Sequence, residues 1–156
     1  MAGQTRFVAD LTSLQTEIIS NEQVKSDASI ESTKLEHFQK PGTNFGFVIG
    51  GTPTAREEIV FVASQACSLK AFHCLLNDTG TSTDIDFDLK KNGTTVLSSV
   101  VNITEGTSDG AVLDGTLSSS PTALATDDII SISMAVTSST GAQGPFAWAE
   151  IEEVGV

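Results

Sequence analysis

From Pro41-Gly42 onward, clusters of Gly, Asn, Ser and Thr break the chain about every ten residues, and the runs between them are short and rich in β-branched and aromatic residues. That punctuation leaves no room for long helices. The runs that read as strands are Phe45 to Ile49, Glu58 to Ala63, Leu69 to Leu76, Thr83 to Lys90, Thr95 to Ile103, Ala111 to Leu117, Ile129 to Val136 and Phe146 to Ile151. The clearest alternation is Asp84-Ile85-Asp86-Phe87-Asp88-Leu89, which sets acids on one face and large apolar groups on the other. Directly behind it, Lys91-Asn92-Gly93 supplies residues that tolerate positive φ in a tight hairpin turn, and Val96, Leu97 and Val100 resume the pattern. Ile130, Ile132 and Met134 alternate with Ser131 and Ser133, and Phe146, Trp148 and Ile151 are expected to close the core. The pattern predicts an all-β fold, a jelly-roll-like antiparallel β-sandwich over residues 41–156.

Composition agrees with a strand-rich body. Charged residues are only 18% of the chain, where about 25% is usual, and Ser and Thr fill the difference. Small hydroxyl side chains suit strand faces and turns better than helix surfaces. A chain of 156 residues is long enough for one core and too short for two. The net charge of −12 and the pI near 4.3 exclude nucleic acid as a partner, because a phosphate polyanion would repel this surface. After Lys91 there is no Lys or Arg, while Glu105, Asp109, Asp114, Asp127, Asp128, Glu150, Glu152 and Glu153 accumulate.

Asp10 stands where the apolar centre of a secretory signal would fall, and no run is long enough to span a membrane. The expectation is a protein made and kept in the cytoplasm. Cys67 and Cys74 fit it. On one regular strand their separation is about 23 Å and they face opposite sides, so they read as buried free thiols rather than a disulfide.

Residues 1–40 are of another kind. Arg6, Lys25, Lys34 and Lys40 alternate with acids, and Ile18, Ile19, Val24, Ile30 and Leu35 hold no steady helical stripe. Ser20-Asn21 and Ser26-Asp27 offer competing local hydrogen bonds. This segment reads as an extended N-terminal arm, with one short helix near Ser32 to Phe38, that orders against a partner.

No catalytic constellation emerges. Asp84, Asp86 and Asp88 begin like a calcium loop, but Leu89 stands where that loop needs Gly and Thr95 where it needs Glu, which leaves a structural acidic face. His73, Cys74 and Cys67 lack the second ligand pair of a zinc site. Neither His37 nor His73 accompanies a nucleophile motif, and Gly50-Gly51 leads into Thr-Pro-Thr rather than a phosphate-cradling helix. With one Trp, no Tyr and no aromatic platform in view, a carbohydrate groove lacks its stacking surface. The expectation is a non-enzymatic protein without cofactor or metal.

Two stretches carry a resemblance. They are Val24-Lys25-Ser26-Asp27-Ala28-Ser29-Ile30-Glu31-Ser32-Thr33-Lys34-Leu35-Glu36-His37 and Asp86-Phe87-Asp88-Leu89-Lys90-Lys91-Asn92-Gly93-Thr94-Thr95-Val96-Leu97. Together with the C-terminal Gly144-Pro145-Phe146-Ala147-Trp148-Ala149-Glu150-Ile151-Glu152-Glu153, the chain resembles small virion proteins of tailed bacteriophages, in which a polar arm leads into a jelly-roll body. The resemblance implies a capsid decoration, or cement, protein: a homotrimer on the outer surface of the head, bound to the major capsid protein through its arm. The arm residues it points to are Phe7, Ile18, Ile19, Ile30, Leu35 and Phe38. A tail-associated or receptor-binding sandwich that adsorbs to host cells or glycans is the alternative.

Overall fold

The computed structural model describes residues 37–45 and 51–153. Among them there is no helix, and the strands are β1 (His37–Gln39), β2 (Gly42–Thr43), β3 (Arg56–Val62), β4 (Cys67–Asp78), β5 (Ser82–Lys91), β6 (Thr94–Thr95), β7 (Val101–Thr104), β8 (Leu113–Gly115), β9 (Thr122–Leu124), β10 (Ile129–Thr140) and β11 (Gln143–Glu153). One sheet centres on β4 and β11, with β1 and β2 beside β11 and β8 and β9 beside β4. The other centres on β5 and β10, with β3 beside β10 and β6 and β7 beside β5. Every pairing is antiparallel.

Three short pairs, β1–β2, β6–β7 and β8–β9, each act as one interrupted strand along a long neighbour. Counted that way, each sheet is four strands wide, and consecutive strands change sheet except at the β5–β6 hairpin. This is the jelly-roll arrangement that the strand spacing predicts.

The alternation on β5 holds residue by residue: Ile85, Phe87 and Leu89 are fully buried and the intervening acids face out. Opposite them lie Ile130, Ile132 and Met134 of β10, and Leu69, Phe72, Ala147, Ala149 and Ile151 of the other sheet complete one continuous core.

The cysteines depart from expectation. Both are free, as predicted, but both face the core, because β4 carries a bulge at Lys70-Ala71 opposite Glu150/Ile151. One extra residue shifts the period of two, so the inward set changes from Cys67 and Leu69 to Phe72, Cys74 and Leu76. Burial, with the Asp114 charge nearby, pushes the Cys74 thiol up to about 12.

Three expected elements also change. Phe45 does not begin a strand: it sits in a turn at φ 54, its amide donating to Thr43 Oγ1 (2.8 Å) and its ring 5.8 Å from Phe87. Residues 46–50 of that run lie outside the described residues. Thr95 to Ile103 is not one strand, because Val96 and Leu97 are both buried and successive residues of a strand cannot share a face. The chain leaves β5, bridges Leu97 to Leu117 across to the other sheet's margin, and rejoins β5 where Val101 pairs with Phe87. Of the short helix placed at Ser32 to Phe38, His37 and Phe38 belong instead to β1, paired to Glu153 and Glu152, and 32–36 lie outside the described residues.

Phe72 is fully buried between the sheets, so Phe72→Ala should cost about 3–5 kcal/mol. Urea unfolding should show it as a lower midpoint with an unchanged slope. Native protein should leave both thiols unreactive toward an aromatic disulfide reagent until it is unfolded.

Candidate functional site

Of the three residues expected to close the core, only Ile151 does: β11 turns Ala147, Ala149 and Ile151 inward, so Phe146 and Trp148 alternate onto the outer face of the β1–β11–β4–β8 sheet, where distant aromatic residues come together. His73 of β4 and Trp148 of β11 are register partners, their rings stacked at 4.9 Å and 26°, and Phe146 lies 5.7 Å along β11 from Trp148. The sequence showed no aromatic platform; the pairing of two strands makes this row, because side chains opposite one another on a sheet face meet. Gly42 of β2 permits it: a Cβ there would come within 2.8 Å of Trp148 Cβ and 3.3 Å of the Phe146 ring. Trp148 thus has a ring neighbour across the strand pair and another along its own strand, and Phe146 is the most exposed ring of the row, at 40%.

Polar groups frame this row. His73 Nδ1 lies 2.7 Å from Asp114 Oδ1 on β8, and Glu150 pairs with Lys40 Nζ at 2.7 Å. Lys70 pairs with Glu152 beyond. His73 is thus fixed between a carboxylate and a ring, which is a structural use of the residue. Among the described residues no group of three or more His, Cys, Asp or Glu side chains is placed to hold a metal ion.

On the opposite outer face, Asp84, Asp86 and Asp88 line up along β5. Their neighbours explain how they coexist: Asn102 Nδ2 donates to Asp84 at 2.7 Å and to Asp86 at 2.8 Å, and Thr95 Oγ1 donates to Asp88 at 2.5 Å. Across the sheet, Lys90 Nζ meets Glu57 at 2.8 Å, and Ser131 Oγ donates to the same carboxylate at 2.7 Å. The hydrogen bonds from Lys90 and Ser131 hold Glu57 below its usual range.

One corner of this sheet's margin is apolar. On β3, Ile59 is 65% and Val62 52% exposed, and Val62 pairs with Ile129 of β10, itself 38% exposed. Every Lys and Arg among the described residues has a carboxylate partner: Lys40, Arg56, Lys70, Lys90 and Lys91. The remaining acids leave the surface strongly negative.

The interaction that ties the hairpin to the second sheet margin centres on Asp128. It accepts from Lys91 Nζ (2.7 Å), from the Ala125 amide (2.7 Å) and from Asn92 Nδ2 (2.7 Å). These donors hold its carboxyl down at about 2.

Of the arm residues indicated by the sequence, Phe7, Ile18, Ile19, Ile30 and Leu35 lie outside the described residues. Phe38 is placed: it sits on β1 at the sheet margin, opposite Glu152, with 46% of its surface exposed. The Ile59/Val62/Ile129 corner and the His73–Trp148 pair were not singled out in sequence. Val62 and Ile129 follow no exposed-position pattern, because only pairing register places them side by side.

No family model matches the chain, and no curated protein matches its sequence. Two solved structures are similar. One is the structure of infectious bursal disease virus Gx strain, at 10% identity and TM-score 0.35, covering 76% of this chain and 34% of that one. The other is the carbohydrate-binding module CBM36 in complex with calcium and xylotriose, at 22% identity and TM-score 0.32, covering 74% of this chain and 98% of that one. The chain thus spans about a third of the viral protein's length.

Acid titration gives a test of the Asp128 cluster. The unfolded carboxyl titrates near 3.8 and the folded one at about 2, so its contribution is complete above the unfolded value. It is lost as pH falls through that window toward the folded value. Thermal melts between pH 5 and 2 should show a falling midpoint, and Asp128→Asn should start lower and fall less steeply across the same range.

Proposed function

We propose that this chain is a non-enzymatic virion structural protein of a tailed bacteriophage, a capsid decoration protein that binds the outer surface of the head as a homotrimer and stabilises it. The observation that carries the reading is a jelly-roll body whose first strand, β1, lies at a sheet margin and is reached from a polar N-terminal segment. Because β1 lies at an edge and not within the core, a contact made from this end of the chain would leave the core undisturbed. Phe38, exposed on β1, is the one proposed contact residue that falls among the described residues. The fold alone does not specify a function; the arm, the resemblance of sequence and the acidic surface favour this one.

The mechanism is mass action. A protein that binds the assembled, expanded shell and not its precursors stabilises that shell by its binding free energy, multiplied over many copies. The partner is the major capsid protein. An acidic exterior suits a protein that coats the outside of a head and does not meet the genome. Three copies also triple the negative charge, so the trimer needs an apolar seam, and the Ile59/Val62/Ile129 corner is an exposed apolar surface among the described residues that could supply it.

A second reading, a tail-associated or receptor-binding module, draws on the Phe146–Trp148–His73 row. It predicts adsorption to host cells or glycans that Phe146→Ala abolishes.

Deleting residues 1–36 should reduce binding to expanded heads by at least about a hundredfold in a co-sedimentation assay, since it removes an entire contact segment. Undiminished binding would exclude the arm as the docking element. Sedimentation velocity should give a trimer, and Ile59→Asp should convert it to folded monomer; a wild-type monomer at micromolar concentration would exclude the trimer.

A further inference from the structure

The hairpin between β5 and β6 closes at Asn92-Gly93, the single Asn-Gly step in the sequence. That step is chemically distinctive. Glycine has no Cβ, so nothing shields its backbone nitrogen from the side-chain carbonyl carbon of the preceding Asn. In an open chain the Gly93 nitrogen, after losing its proton to a solvent base, attacks Asn92 Cγ. An N–Cγ bond forms, the Cγ–Nδ2 bond breaks, and the side-chain nitrogen takes a proton from solvent and leaves as ammonia. Water then opens the resulting succinimide. Attack at the side-chain carbonyl carbon yields aspartate, and attack at the backbone carbonyl carbon yields isoaspartate. Solvent supplies every reactant, and no electrons are transferred to or from another group.

The folded hairpin opposes the first step in two ways. Asn92 and Gly93 have φ of 51° and 78°, the double positive pattern of a type I′ turn, and the turn is locked by pairing of Lys90 with Thr95 and Lys91 with Thr94. Swinging the Gly93 nitrogen onto Asn92 Cγ requires rotation about the Asn92 Cα–C bond, which this register forbids. The side chain is also held at both ends. Asn92 Nδ2 donates to Asp128 Oδ1 (2.7 Å), and Asn92 Oδ1 accepts from the Ile129 amide (2.8 Å). The Asn92 amide itself donates to the Ile129 carbonyl at 2.8 Å, completing a clamp between the turn and the start of β10.

We propose that Asn92 is a self-modification site that the native fold keeps unreactive, and that becomes reactive when the β5–β6 turn separates from β10. Both residues are solvent-exposed and a Cβ on Gly93 would meet nothing within 4 Å, so water and base reach the site and only conformation restrains it. The reaction is also self-trapping. Aspartate at position 92 would put a second carboxylate against Asp128, where a donor is needed, and Asp128 is already held ionised by Lys91. Isoaspartate would insert a methylene into the backbone of a two-residue turn and break its register. Either product prevents the clamp from closing again.

The test compares the full chain in mildly alkaline buffer with and without denaturing urea, following the gain of one mass unit by intact mass and locating it by peptide mapping. The gain should map to Asn92 and be more than about tenfold slower in the folded protein, as protection by a stable structural unit requires. Equal rates in the two conditions, or a gain that maps elsewhere, would overturn the proposal. Gly93→Ala in urea should slow the gain, whereas an unchanged rate would exclude attack by the Gly93 nitrogen. An independent arm measures Asn92→Asp, which should melt roughly 2–8 °C below wild type. A wild-type melting point for that variant would overturn the trapping step.

Discussion

Burial of one apolar layer between two pairs of long strands is the constraint on which the rest of this structure depends. β4 and β11 form the centre of one sheet, β5 and β10 the centre of the other, and their inward residues meet across the sandwich. Once those four strands are paired and facing, each short strand has a place only along a free margin of a long one. Burying large side chains such as Phe72, Phe87 and Ile132 supplies the dominant favourable energy. The margins need only satisfy backbone hydrogen bonds.

That division explains the distribution of polar side chains. In the interior almost nothing polar is tolerated, and no buried side-chain nitrogen or oxygen among the described residues lacks a hydrogen-bond partner. At the margins, side chains connect segments that the ladders do not: Asp128 gathers Lys91, Asn92 and Ala125. Thr79 and Asp109 do the same at the far end of β4, where the Thr79 amide and hydroxyl both donate to Asp109 and hold that carboxyl below its usual range. Similarly, Asn102 bridges two aspartates whose charges would otherwise repel along β5. These contacts define the loops without requiring loops to be buried.

Much of the fold was legible because its signals are local. The alternation at Asp84 to Leu89 and the Asn92-Gly93 turn are properties of consecutive residues, and both appear as expected. Errors fall where a local pattern met a non-local demand. The bulge at Lys70-Ala71 puts both cysteines inward, and no feature of Cys67 to Cys74 announces it, since it is set by pairing with β11. Val96 and Leu97 look like a continuing strand, but the two are drawn into the core together and the strand breaks. The candidate surfaces were less legible still. His73 and Trp148 are far apart in sequence, and so are Val62 and Ile129; each pair becomes neighbours only through antiparallel register.

The sequence by itself determined the class of fold, the hairpin turn and the sign of the surface charge, because each depends on composition or on residues adjacent in the chain. Tertiary structure decided which strands interrupt, which way Cys67 and Cys74 point, which rings share a face, and where the apolar corner of β3 lies. The physical reason is the same throughout. A strand's two faces are fixed by its own periodicity, but which side chains stand opposite them is fixed by the partner strand, and a one-residue bulge or shift in that partner reassigns the face.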